Sequence, residues 1–451
     1  MSRDISNINH YSRWLMAVCA VLAASGVFYR GDARAEDLAE SVRTALSTHP
    51  LVASSRASFR AAKFGVEEER ADFLPTLSFS ANSGYQRSHR ENSTTVDPDL
   101  WRNTQRLELT QMLFDGGETS NQFESSKASA EAARYGLLAA ATQIAQRAVN
   151  AYLNVSRDRE LVDASVQNIN FHQGILGDVE EAARTGGGAG SRVAQVRTRL
   201  LNAQSQRRRL EANLRNSVAD YIEAVGQPPG SVSRPDVPVA SVPASLNEAV
   251  EIAVGNSFDL QSSAERERAA ALSADATKGN FLPSVDLELA HERRDNTDGS
   301  RGLESDSTAL VRLTWDLYTG GGDTAARRKA LEERSEARFR MHEIDRQLRE
   351  DLAVALNDYE AARDQVELQQ ERRKTAGEVR TAYQEQFRLA QRSVLDLLDS
   401  SNEQFVAETD LISTRYSQLR AAYEVLALSG TLLDNLGVQV DTDGEPEAAQ
   451  R

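Results

Sequence analysis

Phe73-Leu74-Pro75, followed by Leu113-Phe114-Asp115-Gly116-Gly117, is a passage that the chain writes twice. Phe281-Leu282-Pro283 and Leu317-Tyr318-Thr319-Gly320-Gly321 answer it. Upstream, Leu38-Ala39-Glu40 answers Leu246-Asn247-Glu248, so residues 38–75 and 246–283 run in register at a fixed offset. A repeat of roughly 200 residues is too long for a solenoid unit and marks a duplicated domain with internal symmetry. In each copy a pair of strands lies between Phe-Leu-Pro and Gly-Gly, and long helical tracts flank it.

The strands show in a period of two. Val285, Leu287 and Leu289 alternate with Asp286 and Glu288. Ala309, Val311, Leu313, Trp315 and Leu317 alternate with Arg312, Thr314 and Asp316. In the first copy Leu77, Phe79 and Ala81 lead to Tyr85, and Leu107, Leu109 and Leu113 pair with them. Aromatics near the segment ends (Tyr85, Phe114, Trp315, Tyr318) match lipid-facing strands with interfacial rings. A pair of half-buried soluble hairpins would alternate in the same way. Long polar loops are expected at 88–103 and 292–307, on the side that would face outward. Four strands cannot close a barrel, and open edges are not tolerated in lipid. Several copies must therefore share one barrel; two would give eight strands and three would give twelve.

The helices show in a heptad. Tyr135, Leu138, Thr142, Ala145, Val149 and Tyr152 step by three and four. Val193, Val196, Leu200, Ala203, Leu210, Leu214 and Tyr221 keep one phase, interrupted by Arg207 and Ser217. Leu348, Leu352, Ala355, Tyr359, Ala362 and Val366 form a third seam, and Leu398, Phe405, Ile412, Leu419 and Leu426 a fourth. This is coiled-coil packing. Proline is absent from 99–227 and 284–445, while five of the ten prolines crowd between Pro228 and Pro243. A helix from Glu118 to Arg184 would be about 100 Å long at ~1.5 Å per residue. Gly186-Gly187-Gly188-Ala189-Gly190 ends it, and Leu389-Ala390-Gln391-Arg392 is the matching break.

Bulk properties agree. Charged residues make up 26% and aromatics 6%, a balance suited to long solvated helices. A net charge of −15 argues against nucleic acid as a partner. Arg3 and Arg13 precede an apolar run from Trp14 to Phe28, and Ala33-Arg34-Ala35 supplies a cleavage site, so 1–35 reads as a signal peptide. The run is shorter than the ~20 residues of a spanning helix, which disfavours an uncleaved anchor. The single cysteine, Cys19, lies inside this segment, and Met16-Ala17-Val18 before it is a poor lipidation box. The mature chain then has no disulfide and no thiol chemistry.

Taken together, these residues resemble the TolC family of outer-membrane efflux proteins. The repeated Phe-Leu-Pro and Gly-Gly motifs carry the resemblance. So do the tip segment Arg392-Ser393-Val394-Leu395-Asp396-Leu397-Leu398-Asp399 and the glycines Gly226 and Gly430 that end the returning helices. The resemblance covers about Leu38 to Gly430. It implies a mixed α/β membrane protein built from two repeats, 36–227 and 246–430. A Pro-rich linker at 228–245 would join them, and a polar tail would occupy 431–451. Each copy would supply a stretch of helical coiled-coil tunnel and four strands of a trimeric twelve-stranded β-barrel. The implied partners are two further copies, a periplasmic adaptor, an inner-membrane transporter of ABC or RND type, and outer-membrane lipid. No cofactor is implied.

The family's periplasmic entrance carries carboxylate rings, which map to Asp396 and Asp399, on one helix face at i, i+3. In a trimer they would attract cations. A pair of solvated surface aspartates is the plainer reading. The family's gate network maps to Arg392, Ser191, Arg192 and Phe387. Phe387 stands where a tyrosine is expected and Arg192 where an aspartate is expected. The usual tyrosine–aspartate bond is therefore lost, and an altered gate would pair Arg192 with Asp396 or Asp399 or be looser. Adaptor contacts map to Gly190, Ser191, Val193, Ala390, Arg392 and Ser393. The glycine-rich first tip loop resembles members that secrete large adhesins by the type I route, with drug efflux as the alternative.

Two other classes fit less well. The six histidines form no metal spacing, and Thr319-Gly320-Gly321-Gly322 lacks the lysine of a phosphate-binding loop, which disfavours an enzyme. A periplasmic coiled-coil adaptor would explain the heptads, but not two alternating hairpins closed by Gly-Gly.

Overall fold

The computed structural model describes residues 35–87, 100–185, 190–297 and 301–442. The signal segment, most of the first long loop, the heart of the first tip loop and the end of the tail fall outside the described residues.

After a two-residue strand β1 (Ala35–Glu36) come helices α1 (Leu38–Thr48) and α2 (Pro50–Ala71). Strands β2 (Thr76–Gln86) and β3 (Leu100–Phe114) follow, then α3 (Glu118–Arg184) and the returning α4 (Gly190–Val225). A second short strand, β4 (Ser231–Val232), pairs in parallel with β1. The second repeat runs α5 (Leu246–Asn256), α6 (Phe258–Ala276), β5 (Ser284–Asp295), β6 (Leu303–Thr314), α7 (Gly322–Arg388), α8 (Val394–Leu428) and the short α9 (Leu432–Asn435). Helices α3 and α7 each hold 67 residues. Among the described residues no helix is long and apolar enough to cross a membrane.

The two hairpins merge into one antiparallel sheet, ordered β2-β3-β5-β6. The inner pair, β3 and β5, joins the repeats, with one register irregularity between Met112 and Phe114. The outer strands, β2 and β6, each leave an edge unpaired within the chain. The expected loop at 292–307 is corrected: Glu292 pairs with Asp306 and Asp295 with Leu303, so the two strands run on to Asp295 and Leu303. Likewise β3 starts at Leu100, inside the expected loop at 88–103. Those stretches are polar, but one side chain in two faces the opposite way, which a count of polarity alone misses. At the other end β6 stops at Thr314, so Trp315 and Leu317 lie past the strand.

Strand gives way to long helix through two consecutive left-handed residues, Gly116 (φ 72°) and Gly117 (φ 87°), repeated at Gly320 (φ 69°) and Gly321 (φ 88°). Only glycine takes these angles without a Cβ penalty. The Asp115 carboxylate then accepts from the N–H of Gly117 (2.9 Å) and Thr119 (2.7 Å), filling the donors that a helix start leaves open. In the second copy Thr319 Oγ1 accepts from the N–H of Asp323.

The helices form a wall one layer thick. In its upper half α2, α3, α6 and α7 pack side by side; in the lower half the order is α4, α3, α8 and α7. Because α3 has neighbours on two sides, its buried stripe is broad. Leu137, Ala141, Ile144 and Ala148 are buried with Ala145, Val149 and Tyr152, while the expected seam residues Tyr135, Leu138 and Thr142 sit at the margin. Helix α7, at the free edge, buries little besides Leu348, Leu352, Ala355, Leu356 and Tyr359. It leaves Phe339, Val354 and Leu368 exposed. The largest core lies at mid-height, where α1, α3, α4, α8 and α9 converge around Tyr152, Tyr221 and Tyr416. The proline-rich linker is tied down there. The Tyr152 hydroxyl donates to Ser233 O (3.0 Å) and accepts from Ser233 N–H (3.1 Å). Gly430 (φ 74°) ends α8 so close to α5 that an added Cβ would stand 2.3 Å from Asn256 O.

Candidate functional site

Two regions carry the chemistry: the sheet, and the far ends of the helical hairpins. The sheet has unlike faces. Register places Leu77, Leu109, Leu289 and Ala309 in one row, with Phe79 and Leu107 beside them and Gln111, Leu287 and Val311 on the other side. Phe79, Val311 and Leu313 are 67%, 68% and 63% exposed, so this apolar face has no cover within the chain. The opposite face is an ion-pair lattice. Arg106 bonds Glu108 (2.8 Å) and lies 3.7 Å from Glu292 on the next strand. Arg312 donates to Glu288 (2.7 Å), and Arg294 pairs with Asp306 and Glu304. One apolar and one polar face per strand is the alternation of a membrane barrel, with lipid on the first face and a watery lumen on the second.

At the opposite end, α3 and α4 form one hairpin tip and α7 and α8 the other. A small apolar cluster locks them: Ile175, Val179, Val196, Val394, Leu397 and Leu398 are buried, with Phe387, Tyr383 and Val193 against them. Ser393 caps α8, its hydroxyl accepting from Leu395 N–H (3.2 Å). Ala390 takes a left-handed conformation (φ 57°) at the turn. Gly190 is the first residue of α4 rather than part of the loop, and it is exposed together with Ser191 and Arg192.

The two mapped aspartates of α8, Asp396 and Asp399, are both paired with arginine. Asp396 lies 3.7 Å from Arg392, one turn away on the chain. Asp399 accepts from Arg199 on α4 at 2.8 Å, which bridges the two hairpins. Within one chain neither aspartate pairs with Arg192 among the described residues. That residue instead lines a groove of about 760 Å³ with Phe387, Ala390, Arg392 and Ser393. Arg392 is held from three sides. It donates to Gln386 (3.0 Å), faces Asp396, and stacks on the Tyr383 ring at 4.0 Å. The aromatic partner is thus Tyr383, four residues before Phe387, and Phe387 packs as a hydrophobe. Of the mapped gate residues, the groove brings Arg392, Arg192 and Phe387 together; Ser191 is not on its lining. Sequence reasoning missed Arg199, although it stands one heptad beyond Arg192 on the same helix face.

Behind the bridge lies His172 on α3, 4% exposed, its Nδ1 buried without a partner among the described residues. Burial, then the nearby Arg199 guanidinium, holds this imidazole below its ordinary pKa. The folded state thus favours neutral His172, and its contribution is complete above about pH 6.5 and lost as the pH falls below that. The Tm of the purified channel should drop between pH 7.5 and 5.5, and His172→Gln should shrink that drop. An equal drop in both proteins would refute this assignment. Among the described residues no group of side chains could hold a metal ion.

The sequence pattern of the family described as Outer membrane efflux protein (OEP) matches residues 42–227 and 249–431, which are the two repeats. The outer membrane efflux protein BepC of Brucella suis is 24% identical over 430 residues, covering 94% of this chain and 92% of that one. The alkaline protease secretion protein AprF of Pseudomonas aeruginosa is 39% identical over a segment of 75 residues, 17% of this chain and 15% of that one. Among solved structures, the Campylobacter jejuni CmeC outer membrane channel superposes with a TM-score of 0.76 at 17% identity, over 90% of this chain and 87% of that one. A sheet with one lipid-compatible face, two helices each about 100 Å long and the double family match agree. The chain belongs to the outer membrane efflux protein family, the TolC-type channels that sit in the bacterial outer membrane and extend a helical tube into the periplasm.

Proposed function

We propose that this chain is the exit channel of a tripartite export system and that its cargo is protein delivered by the type I route. Channels of this family form trimers and work with periplasmic adaptors and inner-membrane transporters; they are transport proteins without enzymatic activity. Here three copies would close β6 of one protomer against β2 of the next, and α7 against the neighbour's α2 and α4. The twelve strands and the tunnel so formed satisfy the edges that a single copy leaves open. The adaptor would dock on the exposed tip, at Gly190, Ser191, Val193, Ala390, Arg392 and Ser393.

One observation carries the choice of cargo. Each entrance aspartate has an arginine partner, so the rings at Asp396 and Asp399 are neutralised rather than bare. A bare acidic ring concentrates small cations; a compensated one suits a chain of mixed charge. The AprF likeness points the same way, and the BepC likeness, through its name, toward efflux. The test is a quantitative comparison of extracellular and surface-attached proteins between the parent strain and one lacking this gene. Loss of one or a few large proteins, restored by complementation, is the expected result. An unchanged set together with new sensitivity to small toxic compounds would overturn protein secretion in favour of efflux.

A further inference from the structure

Among the described strand residues, the apolar face of the sheet carries one arginine. Of the five arginines on the strands, Arg102, Arg106, Arg294 and Arg312 lie on the polar face. Three of them pair with carboxylates, and Arg102 donates to Thr104 Oγ1. Arg293 lies on the other face. Register sets it between Gln105 and Ser305, in the row next to His291 and Leu107. It is exposed, and no hydrogen bond or ion pair engages it among the described residues, although Arg294 beside it has two acidic partners.

Its height follows from the strand. The helices leave the sheet at the Ser284 and Thr314 end, so the Asp295 and Leu303 end faces the cell exterior. The apolar run of β5 stops at Leu289. Arg293, four residues on, is about 13 Å further along the strand and about 10 Å higher for a strand tilted ~40°. That places it at the outer margin of a hydrophobic band ~25 Å tall. Trp101 and Tyr85 stand beyond it toward the exit, with Trp101 Nε1 donating to Ser83 Oγ (2.9 Å). An unpaired guanidinium facing lipid is costly at the membrane centre and tolerated where it can reach a headgroup.

We propose that Arg293 is the anchor of a site for a phosphate-bearing lipid headgroup in the outer leaflet. A guanidinium binds phosphate through two parallel N–H donors. Gln105 and Ser305 flank it with further donors. His291 fixes one face of the site through Nδ1 and Ser307 Oγ, 2.9 Å apart. The carboxylate of this face, Asp295, stands two residues toward the exit, and its removal should strengthen binding. The proposal rests on the barrel reading, in which this face meets lipid.

The test is native mass spectrometry of the purified full-length channel in detergent, with diphosphoryl lipid A as probe and phosphatidylcholine as the neutral comparison. Wild type should retain lipid A selectively. Arg293→Gln should lower retention about tenfold, Arg293→Lys should lie between, and Arg102→Gln on the lumen face should change nothing. Equal retention in Arg293→Gln, loss in Arg102→Gln, or displacement of the lipid by millimolar inorganic phosphate would overturn the assignment. Conductance of the same preparations in planar bilayers separates the two readings. A wild type that never conducts would refute the channel, whereas conducting variants with unaltered lipid retention refute only the headgroup site.

Discussion

Leu289→Arg is expected to remove the channel from the outer membrane, while Ala290→Arg, one residue on, is expected to leave it there. Leu289 sits in the apolar row with Leu77, Leu109 and Ala309. An arginine facing the hydrocarbon costs up to about 2–4 kcal/mol, and a trimer would carry it three times. Ala290 lies on the polar face, with Glu108 and Thr308 as register partners, so an arginine there has water and a carboxylate within reach. The measurement is the amount of heat-stable oligomer in purified outer membranes. Leu289→Arg should fall to a few per cent of wild type. Ala290→Arg should accumulate normally and conduct less, because the new side chains narrow the lumen. Wild-type levels of Leu289→Arg oligomer would show that the apolar face does not meet lipid, and the assignment of the two faces would fall with it.

The second large effect is expected at the tip. Arg199→Ala should raise the leak of the closed channel, because Arg199–Asp399 is the ion pair that joins α4 to α8 among the described residues. Its side chains are 44% and 60% exposed, so one copy contributes only about 0.2–1 kcal/mol. A concerted trimeric gate would hold three copies, or about 0.6–3 kcal/mol, which converts to roughly a 3- to 150-fold shift between closed and open states. Single-channel recording should show that rise in Arg199→Ala and in Asp399→Ala, with no further rise in the double variant, because each change removes the same contact. The leak of wild type should climb with ionic strength as salt screens the pair. Arg192→Ala should stay near wild type, because Arg192 has no carboxylate partner among the described residues. Additive effects of Arg199→Ala and Asp399→Ala, or a larger effect at Arg192, would mean that the bridge is not what holds the tip.

The duplication, the heptad seams and the strand alternation were legible because they are properties of neighbours along the chain. Glu118 and Arg184 bound the first long helix, as the proline-free run and the glycine loop implied. The Gly-Gly pairs were legible as strand-to-helix turns because no other residue takes two left-handed angles in succession without strain. The loops at 88–103 and 292–307 were misjudged for a related reason. Composition reports how polar a stretch is, whereas strand pairing depends on which face each residue takes, and a charged residue is at home on a wet face.

By itself, the sequence determined the elements of this protein: four strands, two hairpins of very long helices, and a twofold repetition that demanded closure by more copies. It did so because backbone preference and hydrophobic period act over a few residues. Only the tertiary structure decided that β3 and β5 meet to join the repeats, that Arg199 rather than Arg192 reaches Asp399, and that Arg294 finds Asp306 and Glu304 on the next strand. Those outcomes depend on distances between residues far apart in the chain. Such distances are set by the packing of whole helices and the register of whole strands, and no local pattern encodes them.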